Sequence, residues 1–271
     1  MTLLTSLALA AVVAAAPKAE FDHSHGRWNA LLVEFVHTGG RVNYRGLARK
    51  RSQLDRYLGD LRSVRYPDFK KWTGPEREAF WINAYNAYTV QLILDNYPVK
   101  SIRDLGGWFS PVWDKRFIPL QHLSREHGKV LSLGEIEHEI LAKKARQPLF
   151  HFAIVCASGG CPELRAEAYT AKLLDKQLGN AGRTFLADTS KNGQEVLGGK
   201  LRVSKIFKWS EDELQEYPGG ITKLLADFAP KPVSEALRRG RVRLEYGDYD
   251  WSLNEWVPPA VKSDLGLGGG H

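Results

Sequence analysis

Cys156 and Cys161 stand five positions apart in the segment His151-Phe152-Ala153-Ile154-Val155-Cys156-Ala157-Ser158-Gly159-Gly160-Cys161-Pro162, which concentrates the reactive groups of the chain. An apolar run, a glycine pair and a proline predict a strand, a loop and a helix start in that order. With Pro162 at the first helical position, Cys161 stands at the N-cap, where free N–H groups and the helix dipole favour a thiolate. Gly159 and Gly160, next to Ser158, let the backbone come close to a ligand and offer N–H donors to an oxyanion. A nucleophile beside such donors is the arrangement of acyl transfer. Three other readings compete: a Cys156–Cys161 disulfide, two buried inert thiols, and a Gly-Gly turn with no ligand. In an oxidising compartment the disulfide comes first among them.

Other polar groups fall where they can serve this loop. Glu137 and His138 lie mid-helix and His151 opens the segment above, so a helix packed beside it brings an imidazole base and a carboxylate orienter to the sulfurs. Each histidine has a structural alternative as a satisfied core residue. Glu135-Ile136-Glu137-His138-Glu139 lacks the second histidine of a metalloprotease helix,. A mixed set of His138, His151, Cys156 and Cys161 has zinc-compatible ligand types, but no spacing selects it, and neither metal nor cofactor is expected. Asn83 and Asn86 share one face of an apolar, aromatic-rich helix, and asparagines there imply specific hydrogen bonds, either to a substrate or to a buried loop. Asp250 and Trp251 follow the last strand, where the carboxylate orients a histidine or caps a turn.

The elements that position these residues read as a helix-rich α+β domain with a small, mostly antiparallel sheet. Helical periodicity runs over Trp28–Val36, Leu54–Leu61, Thr73–Asn96, Leu133–Ala142 and Thr170–Leu186,. Ser132 with Glu135, and Ser210 with Glu213, read as capping boxes. Strands are expected at Leu149–Val155, Leu201–Val203 and Val242–Tyr246. One domain over 20–260 and a glycine-rich tail over 261–271 complete the division.

The 271 residues are 43% hydrophobic and 25% charged, an ordinary globular composition that excludes collagen-like, coiled-coil and disordered chains. Lys+Arg 38 against Asp+Glu 31 gives +7, but the basic runs at 49–51, 143–146 and 238–241 are short and scattered, so no nucleic-acid surface is expected. Leu3–Ala16 is an apolar run ending in three alanines, read within 1–19 as a signal peptide cut after Ala16 or Ala19. The expectation is a periplasmic or secreted protein with no stable membrane insertion once the signal is removed.

Taken together, Ala79–Ala87, Tyr97–Ile102, Ser132–His138, His151–Ala153, Cys156–Pro162, Ser204–Trp209 and Tyr249–Asn254 resemble the family catalogued as domain of unknown function 547. The resemblance implies no assigned activity, and association with glutaredoxin-like domains in some relatives points toward thiol chemistry. The combined expectation is a thiol-dependent hydrolase or acyl/thiol transferase, with Cys161 or Cys156 reactive and His151 or His138 as base. Glu137 or Asp250 would orient that base, and an unknown small molecule or peptide, acidic or thiol-containing, would be the substrate. The alternative is a non-catalytic periplasmic binding or assembly module in which the two cysteines are disulfide-bonded.

Overall fold

The computed structural model describes residues 20–107, 111–124, 128–145, 147–240 and 242–258. The expected signal peptide at 1–19 and the expected tail at 261–271 lie outside the described residues. Trp28, Leu31, Leu32 and Phe35 line the buried face of α1 (Gly26–Phe35), and Leu54, Tyr57, Leu58 and Leu61 that of α2 (Arg51–Ser63), which packs on α1. The apolar stripe at 3.6-residue spacing makes that contact obligatory. Between them, β1 (Val36–His37) and β2 (Arg41–Val42) form a short antiparallel pair.

The central element is α3 (Gly74–Asp95), buried on nearly every side. Thr73 and Glu76 close a reciprocal capping box at its start,. It packs against α2 and against α4 (Glu135–Leu141), a π-helical segment. The Ser132–Glu135 box caps this region as the sequence predicts: Ser132 N–H donates to Glu135 at 2.8 Å and Glu135 N–H donates to Ser132 Oγ at 3.2 Å. A π turn inserts one extra residue per turn and re-aims side chains, a device common at functional sites.

Two expectations change next. Pro148–Phe152 is a buried 3-10 helix and not the start of a strand; a short apolar run shows burial without showing period, and Pro148 presets a helical φ. No helix starts at Pro162, because the chain stays irregular until α5 (Leu174–Ala187). Cys161 therefore has no helix N-terminus beneath it.

The last third supplies β3 (Lys200–Val203), a one-turn helix at Ile206–Trp209, three further short helices α6 (Glu211–Gln215), α7 (Gly220–Phe228) and α8 (Lys231–Arg239), and β4 (Arg243–Tyr246). β3 and β4 pair in parallel with Leu201 opposite Leu244. The helix-rich α+β class holds, with the strands in two separate pairs. Buried side chains from Trp28 to Leu253 form one connected core. Among the described residues no helix is long and apolar enough to cross a membrane.

The segment after β4 closes the structure. Asn254 N–H donates to the Ala157 carbonyl, and Val42 N–H to the Asn254 carbonyl. The Asn254 side chain accepts from Tyr44 at 2.7 Å and donates to the Gly40 carbonyl at 3.1 Å. Residues separated by more than 200 positions thus meet around the cysteine loop.

Candidate functional site: a cysteine pair in an aromatic cavity

Asn83 and Asn86 hold the frame of the site. Asn83 donates to the Tyr169 carbonyl and accepts from Tyr169 N–H, at 2.7 and 3.0 Å. Asn86 does the same to Ala153 and Val155, at 2.9 Å each. Both side chains are buried and spent on backbone, so they tie two loops to α3 and do not face a substrate,.

Cys156 and Cys161 lie at disulfide distance, with their Cα atoms 6.4 Å apart,. The two sulfurs differ in surroundings. Cys161 is buried, and its Sγ accepts from Cys156 N–H at 3.0 Å, Tyr249 O–H at 3.1 Å and Ser158 O–H at 3.4 Å. Cys156 is half-buried, with Ser158 Oγ at 3.0 Å and Tyr249 O at 3.4 Å. Among the described residues no imidazole is hydrogen-bonded to either sulfur, so a Cys161–histidine dyad is not formed.

The glycine pair serves a different purpose from the one its composition suggests. Gly159 N–H donates to the Ser252 carbonyl and Gly160 N–H to the Asp250 carbonyl, at 2.7 and 2.8 Å. No oxyanion donors remain there. A Cβ on Gly160 would fall 2.9 Å from the Tyr249 ring, and one on Gly159 would collide with the Asp250 carboxylate. The close approach that needs glycine is to the chain's own terminal segment. Asp250 accepts from Ser252 N–H and Oγ at 2.9 and 2.6 Å, capping its own turn and orienting no histidine,. Ala157, the residue between the sulfur and these contacts, takes φ 58°, a left-handed conformation that costs a non-glycine residue about 1 kcal/mol or more,.

A cavity of about 620 Å3 opens over this loop, a volume in the range of small-molecule sites. Both cysteines, Glu137, His138 and His151 line it, and Trp113, Trp209 and Trp251 wall it. Trp251 lies 5.5 Å from the Trp209 ring and 4.5 Å from Tyr249, and the Arg103 guanidinium sits 5.0 Å over the Trp251 ring,.

The polar end of the cavity holds a four-residue cluster. His151 is buried between two carboxylates, with Nδ1 3.6 Å from Glu137 and Nε2 3.5 Å from Glu213. Its Nε2 makes no hydrogen bond. His138 Nδ1 lies 2.8 Å from Glu213, and Tyr85 donates to Glu137 at 3.3 Å. Burial opposes a charge on His151, but the paired carboxylates outweigh it and its pKa is raised,. The bond to Glu213 raises that of His138, and the two histidines hold Glu213 at about 2. Burial pushes the Tyr249 hydroxyl up, so it stays a donor at neutral pH.

Glu213 is the residue that sequence reasoning assigned to another task. Ser210 makes no capping bond to it; the local spacing is right for a box, but the carboxylate is taken by imidazoles 62 and 75 positions away in sequence. No local pattern carries that information. Among the described residues no three His, Cys, Asp or Glu side chains converge as metal ligands.

Residues 69–186 match the family model described as protein of unknown function, DUF547. The chain resembles that family over α3, α4, the cysteine loop and most of α5. The DUF547 span includes Asn83, Asn86, Glu137, His138, His151 and both cysteines, and is narrower than the motif resemblance, which extends to Tyr249–Asn254. Tyr249 and Trp251 line the cavity from outside it, and Glu213, also outside, pairs with its histidines. No curated protein and no solved structure matches the chain.

Proposed function

We propose that the protein is a thiol transferase working by thiol–disulfide exchange at Cys156–Cys161, with the aromatic cavity holding the substrate. One observation carries this reading: the pair is polarised, with Cys156 the more exposed sulfur and Cys161 buried against the Cys156 N–H at 3.0 Å and the Tyr249 hydroxyl at 3.1 Å. An incoming thiolate bonds to Cys156 Sγ, the Cys156–Cys161 bond breaks, and the electron pair leaves on Cys161 Sγ. Donors aimed at that sulfur stabilise it as a leaving thiolate. The proton lost from the substrate thiol goes to solvent, and Cys161 takes one up from solvent once the pair is open. A second substrate thiolate bonds to the substrate sulfur of the mixed disulfide and releases Cys156, and exchange with another disulfide restores the pair. Electrons enter and leave only as thiols and disulfides.

The reading includes an exported, oxidising location, which would keep the pair oxidised between turnovers. It retains the thiol-transfer part of the sequence expectation and sets aside hydrolysis, because the glycine amides and the missing dyad supply neither oxyanion donors nor an activated Cys161. A second reading, a binding module with a structural disulfide, is favoured by the fastening of the loop through Gly159, Gly160 and Asn254.

The test is reaction with 5,5′-dithiobis(2-nitrobenzoate), an aromatic disulfide. In the Cys161→Ser variant, Cys156 should form the mixed disulfide about tenfold faster than Cys161 does in the Cys156→Ser variant, and the native pair should open in millimolar monothiol. Equal slow rates together with a native pair that resists monothiol would select the binding module.

A further inference from the structure

A second cavity, of about 710 Å3, shares no lining residue with the cysteine site. It is formed by the first turns of α3, the end of α4 and the chain on either side of them. Phe69, Trp81, Leu123, Ile140 and Leu141 give it an apolar interior. Ser124, also in the wall, is 3% exposed and its hydroxyl has no hydrogen-bond partner. Its oxygen is itself sealed from the cavity, so the hydroxyl packs behind the wall.

The charges at this cavity are one-sided. Lys70, Arg77 and Lys144 line it against a single carboxylate, Glu78, which is itself not free. Arg77 donates to the Trp72 carbonyl. Lys70 and Lys144 are exposed and have no carboxylate partner among the described residues. An apolar interior with cations at its wall complements one class of molecule.

We infer that this cavity binds a small anionic amphiphile, an apolar body bearing one carboxylate, sulfonate or phosphate group. The apolar part replaces water against Trp81 and Ile140, and Lys70 and Lys144 hold the anion. The site is independent of the cysteine chemistry and stands whether or not that reading survives.

Two fluorescent probes of matched body separate the charge from the apolar contribution: 1-anilinonaphthalene-8-sulfonate and the uncharged N-phenyl-1-naphthylamine. The sulfonate should bind the full-length protein saturably at one site and be displaced by decanoate. The Lys70→Gln/Lys144→Gln variant, altered only at exposed side chains, should weaken the sulfonate about fivefold while leaving the uncharged probe within about twofold. Gly74→Phe should displace both probes, because a Cβ at Gly74 meets open space at the cavity wall. Absence of saturable sulfonate binding overturns the inference, as does an affinity unchanged in the double lysine variant. So does binding abolished by Trp209→Ala in the cysteine cavity but not by Gly74→Phe.

Discussion

Glu213 shows how one carboxylate sets the electrostatics of the cysteine cavity. Its folded pKa is lowered to about 2 by His138 and His151, so the stabilisation it carries is complete above its ordinary value and is lost as pH falls from about 4.5 toward 2. The histidines are raised; their stabilisation is complete below about 6.5 and is lost as pH rises through the raised values. These are two ends of the same ion pairs, so the cluster contributes most between about pH 4.5 and 6.5. His138 is half exposed, and solvent screening keeps that pair to about 1 kcal/mol or less. Urea midpoints of Glu213→Gln should therefore vary less between pH 5 and pH 8 than those of the native protein. An undiminished slope would mean that the histidines titrate without Glu213.

At the scale of elements, α3 does the positioning, and its two asparagines do it by accounting for backbone groups that would otherwise be orphaned. Asn86→Ala would leave the Ala153 carbonyl and the Val155 N–H unpaired in the interior, next to Cys156. The expected cost is about 2–6 kcal/mol, from two buried groups at about 1–3 kcal/mol each, read from denaturant unfolding, and the Cys156 loop should lose amide protection in hydrogen exchange. A loss below about 0.5 kcal/mol would show the amide to be dispensable. The sequence makes α3 legible: Thr73–Glu76 marks its start, Asn96 its end, and asparagines in an apolar helix announce buried partners. It does not make the partners legible, since Tyr169 and Ala153 are irregular backbone with no pattern of their own. The same limit explains Pro148–Phe152, whose burial was readable and whose period was not. Ser132–Glu135 and Ser210–Glu213 carry the same spacing, yet the first closes as a box and the second is outcompeted by distant histidines.

Across the whole molecule, the net charge has a local meaning that composition hides. The basic runs are largely matched in place: Arg51 with Asp55, Lys143 with Glu139, and Arg239 with Glu235. No motif marks Lys70 and Lys144; what distinguishes them is their convergence on one cavity. The cysteine cavity is likewise a long-range product, joining His138 and His151 to Tyr249 and Trp251 across the chain. The pairing of Ser158 with Leu253 and of Val42 with Glu255 makes the terminal segment part of the core. A chain ending at Gly247 should keep both cysteines and both histidines and yet expose its sulfurs to rapid reaction with iodoacetamide, once reduced, at the rate of a free peptide. Slow alkylation in that chain would show that the loop holds itself.

The clasp formed by Tyr249–Glu255 also orders events in time. During synthesis the cysteine loop leaves the ribosome some ninety residues before the segment that encloses it, counting from Cys161 to Trp251, so the sulfurs must wait exposed for their covering. Only a chain grown past Trp251 can enclose them, and one that stopped before it would carry both cysteines without the enclosure. The Tyr249–Glu255 segment thereby makes closure of the cysteine cavity a late step in its assembly.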